Sequence, residues 1–142
     1  MVKTVEKLEQ KIHAQPRTCA LLTCQNNIMP LAWHMPFSKE PFRYGIALRD
    51  ENHSYDLVQE TGEFALNFLD IQYHEAYEIS GSTHGHSVDK FARTGLHPKT
   101  AQSIQSSLIE EAYLIYECRI IDRINYGDHN VFVADVLHIH NK

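Results

Sequence analysis

The chain is poor in cysteine. Cys19, Cys24 and Cys118 are an odd number, too few for a disulfide framework, and none stands in a CxxC or Cys-His zinc spacing. Cys19 and Cys24 lie five apart, so in one strand they face opposite ways, and buried reduced thiols are the expected state. No apolar run approaches the roughly 18 residues of a membrane helix, and the start, MVKTVEKLEQKIH, alternates charges where a signal peptide carries an unbroken apolar core. A soluble, cytoplasmic protein without membrane contact is expected. Positive charge is short as well. Thirteen Lys and Arg against 18 Asp and Glu leave a net charge of −5, with no basic stripe, which argues against a nucleic-acid partner. Also missing are a GxSxG elbow, a catalytic-thiol signature and a GxGxxG loop after any strand. Their absence sets aside serine or cysteine hydrolysis and a doubly wound dinucleotide fold.

What is present suits one domain spanning 1–142, since 142 residues at 43% apolar content can build one core and leave no room for a second. Val2, Val5, Leu8 and Ile12 recur at steps of three and four, which predicts a short helix over 1–15 that Pro16 closes. The rest, 16–142, is strand-rich. Residues 18–24 (TCALLTC) and 28–33 (IMPLAW) flank Gln25, Asn26 and Asn27 and read as a β-hairpin, with Pro30 confining the second strand to an edge, a bulge or a non-strand partner. Residues 34–42, with Pro36 and Pro41, read as a loop. Strand 43–49 then leads into capping-type residues 50–54, a short helix over 55–60 and a stop at Gly62.

Further along, 63–69 reads as a strand, 71–79 as a helix with Tyr73, Ala76 and Tyr77 on one face, and 80–87 (SGSTHGHS) as an irregular loop. Residues 112–122 alternate, placing Ala112, Leu114, Tyr116, Cys118 and Ile120 on one face and Glu117 and Arg119 on the other. A turn at 126–130 returns the chain as a partner strand over 131–139. About six antiparallel strands with a few small helices predict a mainly β fold, a small barrel.

Two segments point to chemistry. A strand feeding a helix start leaves free amides and the positive end of a dipole. Arg49 before that start, with His53 and Ser54 at it, forms the set a phosphate dianion needs. The Pro-containing stretch 26–33 leaves backbone polar groups unpaired beside apolar side chains and Trp33, which suits a flat heteroaromatic. The alternative for each is plain structure: a helix cap with a surface charge, and a core edge. The pairs His84-x-His86 and His138-x-His140 lack a third ligand at a completing spacing, so no metal is expected.

Taken in order, the blocks NNIMPLAWHMPFSKEPFRYGIALR, HSYDLVQETGEFALNFL, Ser80-Gly81, Asp89-Lys90-Phe91, Gly95-Leu96, IEEAYLIYECRIID and GDHNVFVADV resemble the flavin reductase-like, FMN-binding split-barrel family, with a flavoredoxin-like flavour. The resemblance runs from about residue 16 to 136. It implies an antiparallel, Greek-key-like split β-barrel that forms a homodimer, holds FMN near the subunit interface, and takes hydride from NADH or NADPH. By that resemblance Met29, Pro30, Leu31, Ala32 and Trp33 line the flavin ring and Asn27 supports the turn that presents them. Arg49, His53 and Ser54 hold the phosphate with Asn67 nearby, and Lys90 is a second cation. No protein nucleophile is needed, because the flavin carries the chemistry. His129, or His84 and His86, would then stand on the nicotinamide side. Two alternatives stay open: an FMN-bound electron carrier serving a redox protein without NAD(P)H chemistry of its own, and a His-based metal or small-ligand barrel.

Overall fold

A computed structural model describes residues 1–7, 9, 16–83 and 88–142. The helix expected over 1–15 therefore lies partly outside the described residues, as do His84 and His86, while 1–7 carry no regular structure. The hairpin is present, with β1 (Ala20–Cys24) paired antiparallel to β2 (Asn27–Leu31) across Gln25 and Asn26. Next come β3 (His34–Ser38), β4 (Arg43–Leu48), α1 (His53–Thr61) and β5 (Glu63–Phe68). A 3-10 turn (Ile71–Tyr73) precedes α2 (His74–Ser82) and α3 (Lys90–Thr94). A small ladder of β6 (Pro98–Lys99) and β7 (Leu108–Ile109) precedes the long β8 (Leu114–Tyr126) and β9 (His129–Asn141).

The main sheet is antiparallel with strand order β2-β1-β5-β8-β9-β4-β3. Its two edge strands, β2 and β3, are separated by only Ala32 and Trp33, a link that spans about 10 Å when extended. The first and last strands of a seven-stranded sheet can lie that close only if the sheet curls round on itself. The result is a barrel split between β2 and β3. His34 ties the gap: its Nε2 donates to the carbonyl of Thr18, 2.6 Å away, and its Nδ1 accepts from the Tyr44 hydroxyl at 2.6 Å. The carbonyl can only accept, so this assigns the tautomer. Burial, with Tyr116 and Cys118 nearby, pushes the Tyr44 hydroxyl up to about 12.

Three expectations need correction. Residues 34–38 are a strand rather than loop; Pro36 is tolerated because β3, like β2 with Pro30, is an edge that needs only one ladder. Residues 80–82 extend α2, since Gly81 permits close approach to β2, where a Cβ would sit 3.1 Å from Pro30 Cγ. Cys24 and Cys118 are buried, but Cys19 is exposed and precedes β1. The unforeseen α3 is capped by Asp89, whose side chain accepts from the amide of Ala92, and ends at Gly95, whose φ of 73° is left-handed.

The sheet buries both faces where it matters. Every residue of β1 and β5 is buried, so polarity does not alternate there. Inside the barrel lie Leu22, Ile46, Leu48, Val58, Phe64, Leu66 and Phe132. Leu21, Ile28, Ala65, Ile109 and Ile115 pack outside with Ala76 of α2 and Phe91 of α3. Glu117 does point away from the Tyr116 face, yet it is fully buried. Its carboxylate accepts from the amides of Gln102 and Ser103 and from His140 Nε2 at 2.6 Å, pinning the 100–107 segment to the sheet. Among the described residues no helix is long and apolar enough to cross a membrane.

Burial opposes the Glu117 charge, but His140 and the two amides outweigh it and hold its pKa below the ordinary carboxylate value. The unfolded chain thus binds this proton more readily than the folded one. Its contribution to stability is complete above the ordinary range and is lost as pH falls through and below it. Urea midpoints measured from neutral pH downward should show wild type losing more stability than Glu117→Gln.

Candidate functional site

The start of α1, the first half of β2 and the end of α2 meet around a cavity of about 260 Å³. Asn27, Met29 and Pro30 line it from β2, Asn52, His53 and Ser54 from the helix start, and Ser80, Gly81, Thr83 and Lys90 from the opposite wall. Asn52 flanks the helix in extended backbone with no side-chain capping bond, so the dipole end there meets the cavity without a capping oxygen. The expected short helix is confirmed, and Gly62 ends it with φ 69°.

Two side chains give the cavity its chemistry. Asn27 Nδ2 donates to Ser54 Oγ at 2.7 Å, while Asn27 Oδ1 is buried with no hydrogen-bond partner. A buried acceptor left in this state asks for a donor from a ligand. Lys90 is 4% exposed and its Nζ donates to the carbonyls of Ile28 and Ser80 at 2.6 and 2.8 Å. Two of three ammonium protons are thereby used, and no carboxylate pairs with it among the described residues. Burial lowers its pKa from the ordinary lysine value. A desolvated cation, a helix start and an orphaned acceptor together suit a ligand that is anionic at one end and carries hydroxyl donors beside it.

The remaining sequence-predicted residues divide. Arg49 lies at the exit of β4 and pairs with Glu51 at 2.8 Å, both largely exposed. Leu31 is buried in the inner core, so only its backbone is available. Ala32 and Trp33 line a different cavity of about 280 Å³ with His34, Met35, Phe37, Ala47 and Val131. Trp33 stacks on His129, centroids 4.3 Å apart, and His129 Nδ1 meets Asp128 Oδ1 at 2.7 Å.

Asn67 stands apart from the cavity. It is fully buried; its Nδ2 donates to the Leu21 carbonyl and Thr23 Oγ1, and its Oδ1 accepts from the amide of Ile109. The register Leu21↔Asn67 turns this side chain to the outer face, where it bolts β1 to β7. His138 and His140 do share a face, with rings 4.5 Å apart, but no group of three or more metal-ligating side chains occurs among the described residues. Sequence reasoning missed Asn52, Ser80, Gly81 and Thr83 as cavity walls; an Asn directly before a helical run was the available signal for the first.

The model of the flavin reductase like domain family matches residues 12–142. The chain belongs to this family. An uncharacterized protein of Archaeoglobus fulgidus is 26% identical over 113 residues, 80% of this chain and 64% of that one. The chain thus spans just under two thirds of that curated relative's length. Two solved members of the fold are similar throughout. Flavoredoxin of Desulfovibrio vulgaris has TM-score 0.87 and 22% identity, covering 98% of this chain and 77% of its own. An NADH:FAD oxidoreductase of Streptomyces globisporus has TM-score 0.89 and 17% identity, covering 100% and 89%. At such identities the likeness establishes the split-barrel fold.

Because Asn67 serves the fold, Asn67→Ala should lower unfolding stability by about 1–3 kcal/mol, the cost of leaving the Ile109 amide buried and unpaired. Denaturant titration checks this.

Proposed function

We propose that the protein is an FMN-binding oxidoreductase of flavin reductase type, working as a homodimer and taking hydride from NADH or NADPH. The observation that carries this reading is that one cavity at the start of α1 is lined both by Asn27, whose Oδ1 has no partner, and by Lys90, which has no counter-ion among the described residues. Family membership supplies the flavin as the ligand class, and the cavity's donors and acceptor fit its ribityl phosphate. Ser54, His53 and Lys90 would hold the phosphate, Arg49 would add positive charge at the same helix start, and Asn27 Oδ1 would accept from a ribityl hydroxyl.

The ring would lie along 29–33. Strand β2 pairs only with β1, so the far edge of its backbone is free to meet the polar rim of a heteroaromatic, and Pro30 removes a donor there. Met29 gives an apolar wall, Leu31 takes part through its backbone, and Ala32 and Trp33 carry the wall past the edge. Bound in this way, FMN would supply the hydride- and electron-accepting chemistry that no side chain here offers. His129, held by Asp128 against Trp33, would face the nicotinamide. The homodimer reading is supported by exposed apolar side chains, Met35 and Phe37 on β3 beside Trp33 and Ile124 and Tyr126 at the end of β8 that turns to His129, which a partner surface would cover.

Titration with FMN should quench flavin fluorescence at about one equivalent per chain, and anaerobic NADH or NADPH should then bleach the visible band. An unchanged flavin spectrum would overturn the proposal; a bound flavin that neither nucleotide bleaches would leave an electron carrier for a redox partner. Lys90→Met should weaken FMN binding by about 1.5–3 kcal/mol, the worth of a charge-assisted hydrogen bond, read from the same titration with a thermal melt as the folding control.

A further inference from the structure

The hairpin that carries Asn27 has a two-residue loop, because Cys24 pairs with Asn27. Its first loop residue, Gln25, has φ 53°, and no other non-glycine residue described has a positive φ. A two-residue hairpin loop with positive φ at its first position is built for glycine, which adopts that conformation without steric cost. Gln25 therefore sits in a conformation that its own preferences disfavour, and its side chain is exposed, so packing does not hold it there.

Its backbone is held instead. The amide of Gln25 donates to Ser106 Oγ at 2.8 Å and its carbonyl accepts from the amide of Ser107 at 3.0 Å. Ser107 Oγ donates to Asn26 Oδ1 at 2.7 Å. The Ser106 hydroxyl has one proton, which it gives to Glu63 Oε1 at 3.0 Å, leaving its lone pairs for Gln25. Glu63 Oε1 also accepts from the amides of Gln105 and Ser106, each at 2.9 Å. Both Glu63 and Ser106 are buried, and neither lines the cavity of Asn27 and Lys90.

We infer that Glu63 and Ser106 are positioning residues of the flavin site: they clamp Gln25 in its left-handed conformation, which sets where Asn27 enters β2 and so aims Asn27 at Ser54 and the cavity. Strained backbone of this kind persists only where surrounding groups over-determine it, and it collects at binding sites. The inference rests on the proposed flavin site for its functional consequence, but the clamp itself can be read without flavin.

The test compares the wild-type chain, Ser106→Ala, Gln25→Val and the double variant Ser106→Ala/Gln25→Gly by two readouts. The first is FMN affinity by fluorescence quenching. The second is the Asn27 side-chain amide signal in a proton–nitrogen NMR spectrum, which reports its bond to Ser54 with no flavin present. Ser106→Ala and Gln25→Val should each weaken FMN binding about tenfold or more and shift or broaden the Asn27 signal. The double variant should return both readouts to near wild type, to within about threefold in affinity, because glycine needs no clamp. A purely structural role for Ser106 would not be rescued by a change at Gln25. If Ser106→Ala fails to fold, Gln25→Val still decides, since it alters only an exposed side chain and its backbone preference. Unchanged Asn27 signals in both single variants, or a double variant no better than Ser106→Ala, would overturn the inference. An Asn27 signal that is present in wild type and lost in the single variants, with no FMN bound by wild type, would instead overturn the flavin reading and leave the clamp standing.

Discussion

Two residues between the sheet's edges constrain everything else. Ala32 and Trp33 join β2 to β3, and such a short link leaves an antiparallel sheet of this strand order no choice but to curl until its ends meet. The curl creates an inside, filled by Phe64, Phe132 and their neighbours, and an outside that must be covered. It also brings two edge strands to one place, and the bond from His34 of β3 to Thr18, just before β1, ties the two ends of the sheet together. A split barrel is therefore a consequence of connection length before it is a matter of side-chain packing.

The outer covering is fastened by polar side chains rather than by apolar area alone. Glu117 holds the amides of Gln102 and Ser103, Glu63 holds those of Gln105 and Ser106, and Asn67 holds that of Ile109. All three acceptors project from β5 or β8 to the same outer face. A segment with little regular structure can lie against a sheet only if its amides find acceptors there, because an unpaired buried amide is costly. Glu117 and Glu63 each answer several donors at once and Asn67 adds one more, so the connection from 100 to 110 is fastened at several points along its length.

Against this well-satisfied background the cavity at the start of α1 differs. Among the described residues Asn27 Oδ1 has no partner and Lys90 no counter-ion, whereas the other buried polar side chains described find theirs within the fold. Groups left open in an otherwise closed hydrogen-bond inventory mark where a ligand completes the structure. The site also draws on separated parts of the chain, 27–30, 52–54 and 80–83 with Lys90, so its shape depends on how α2 presses on β2 through Gly81 and on how the hairpin loop is held.

Much of this was legible in the residues. The β1–β2 hairpin, the helix from 53 to its stop at Gly62, and the alternation through β8 follow from local preference and periodicity, which a single segment carries by itself. The edge position of β2 follows from Pro30. The resemblance that groups 26–33 with 49–54 named the flavin-type family that the domain match then established. Local signals failed where a proline was read as loop although an edge strand accepts it, as in β3. They also failed for Asn67, because nothing in an asparagine's sequence context says whether its partners will be a ligand or its own fold. Which polar groups end up paired, and which face a cavity unpaired, was decided by contacts between residues tens of positions apart: Asn27 with Ser54, Lys90 with Ile28, Trp33 with His129. The sequence by itself determined the strands, turns and helix ends. The curled sheet decided which side chains were spent on structure and which were left for chemistry, because hydrogen-bond satisfaction is a property of three-dimensional neighbours and not of chain order.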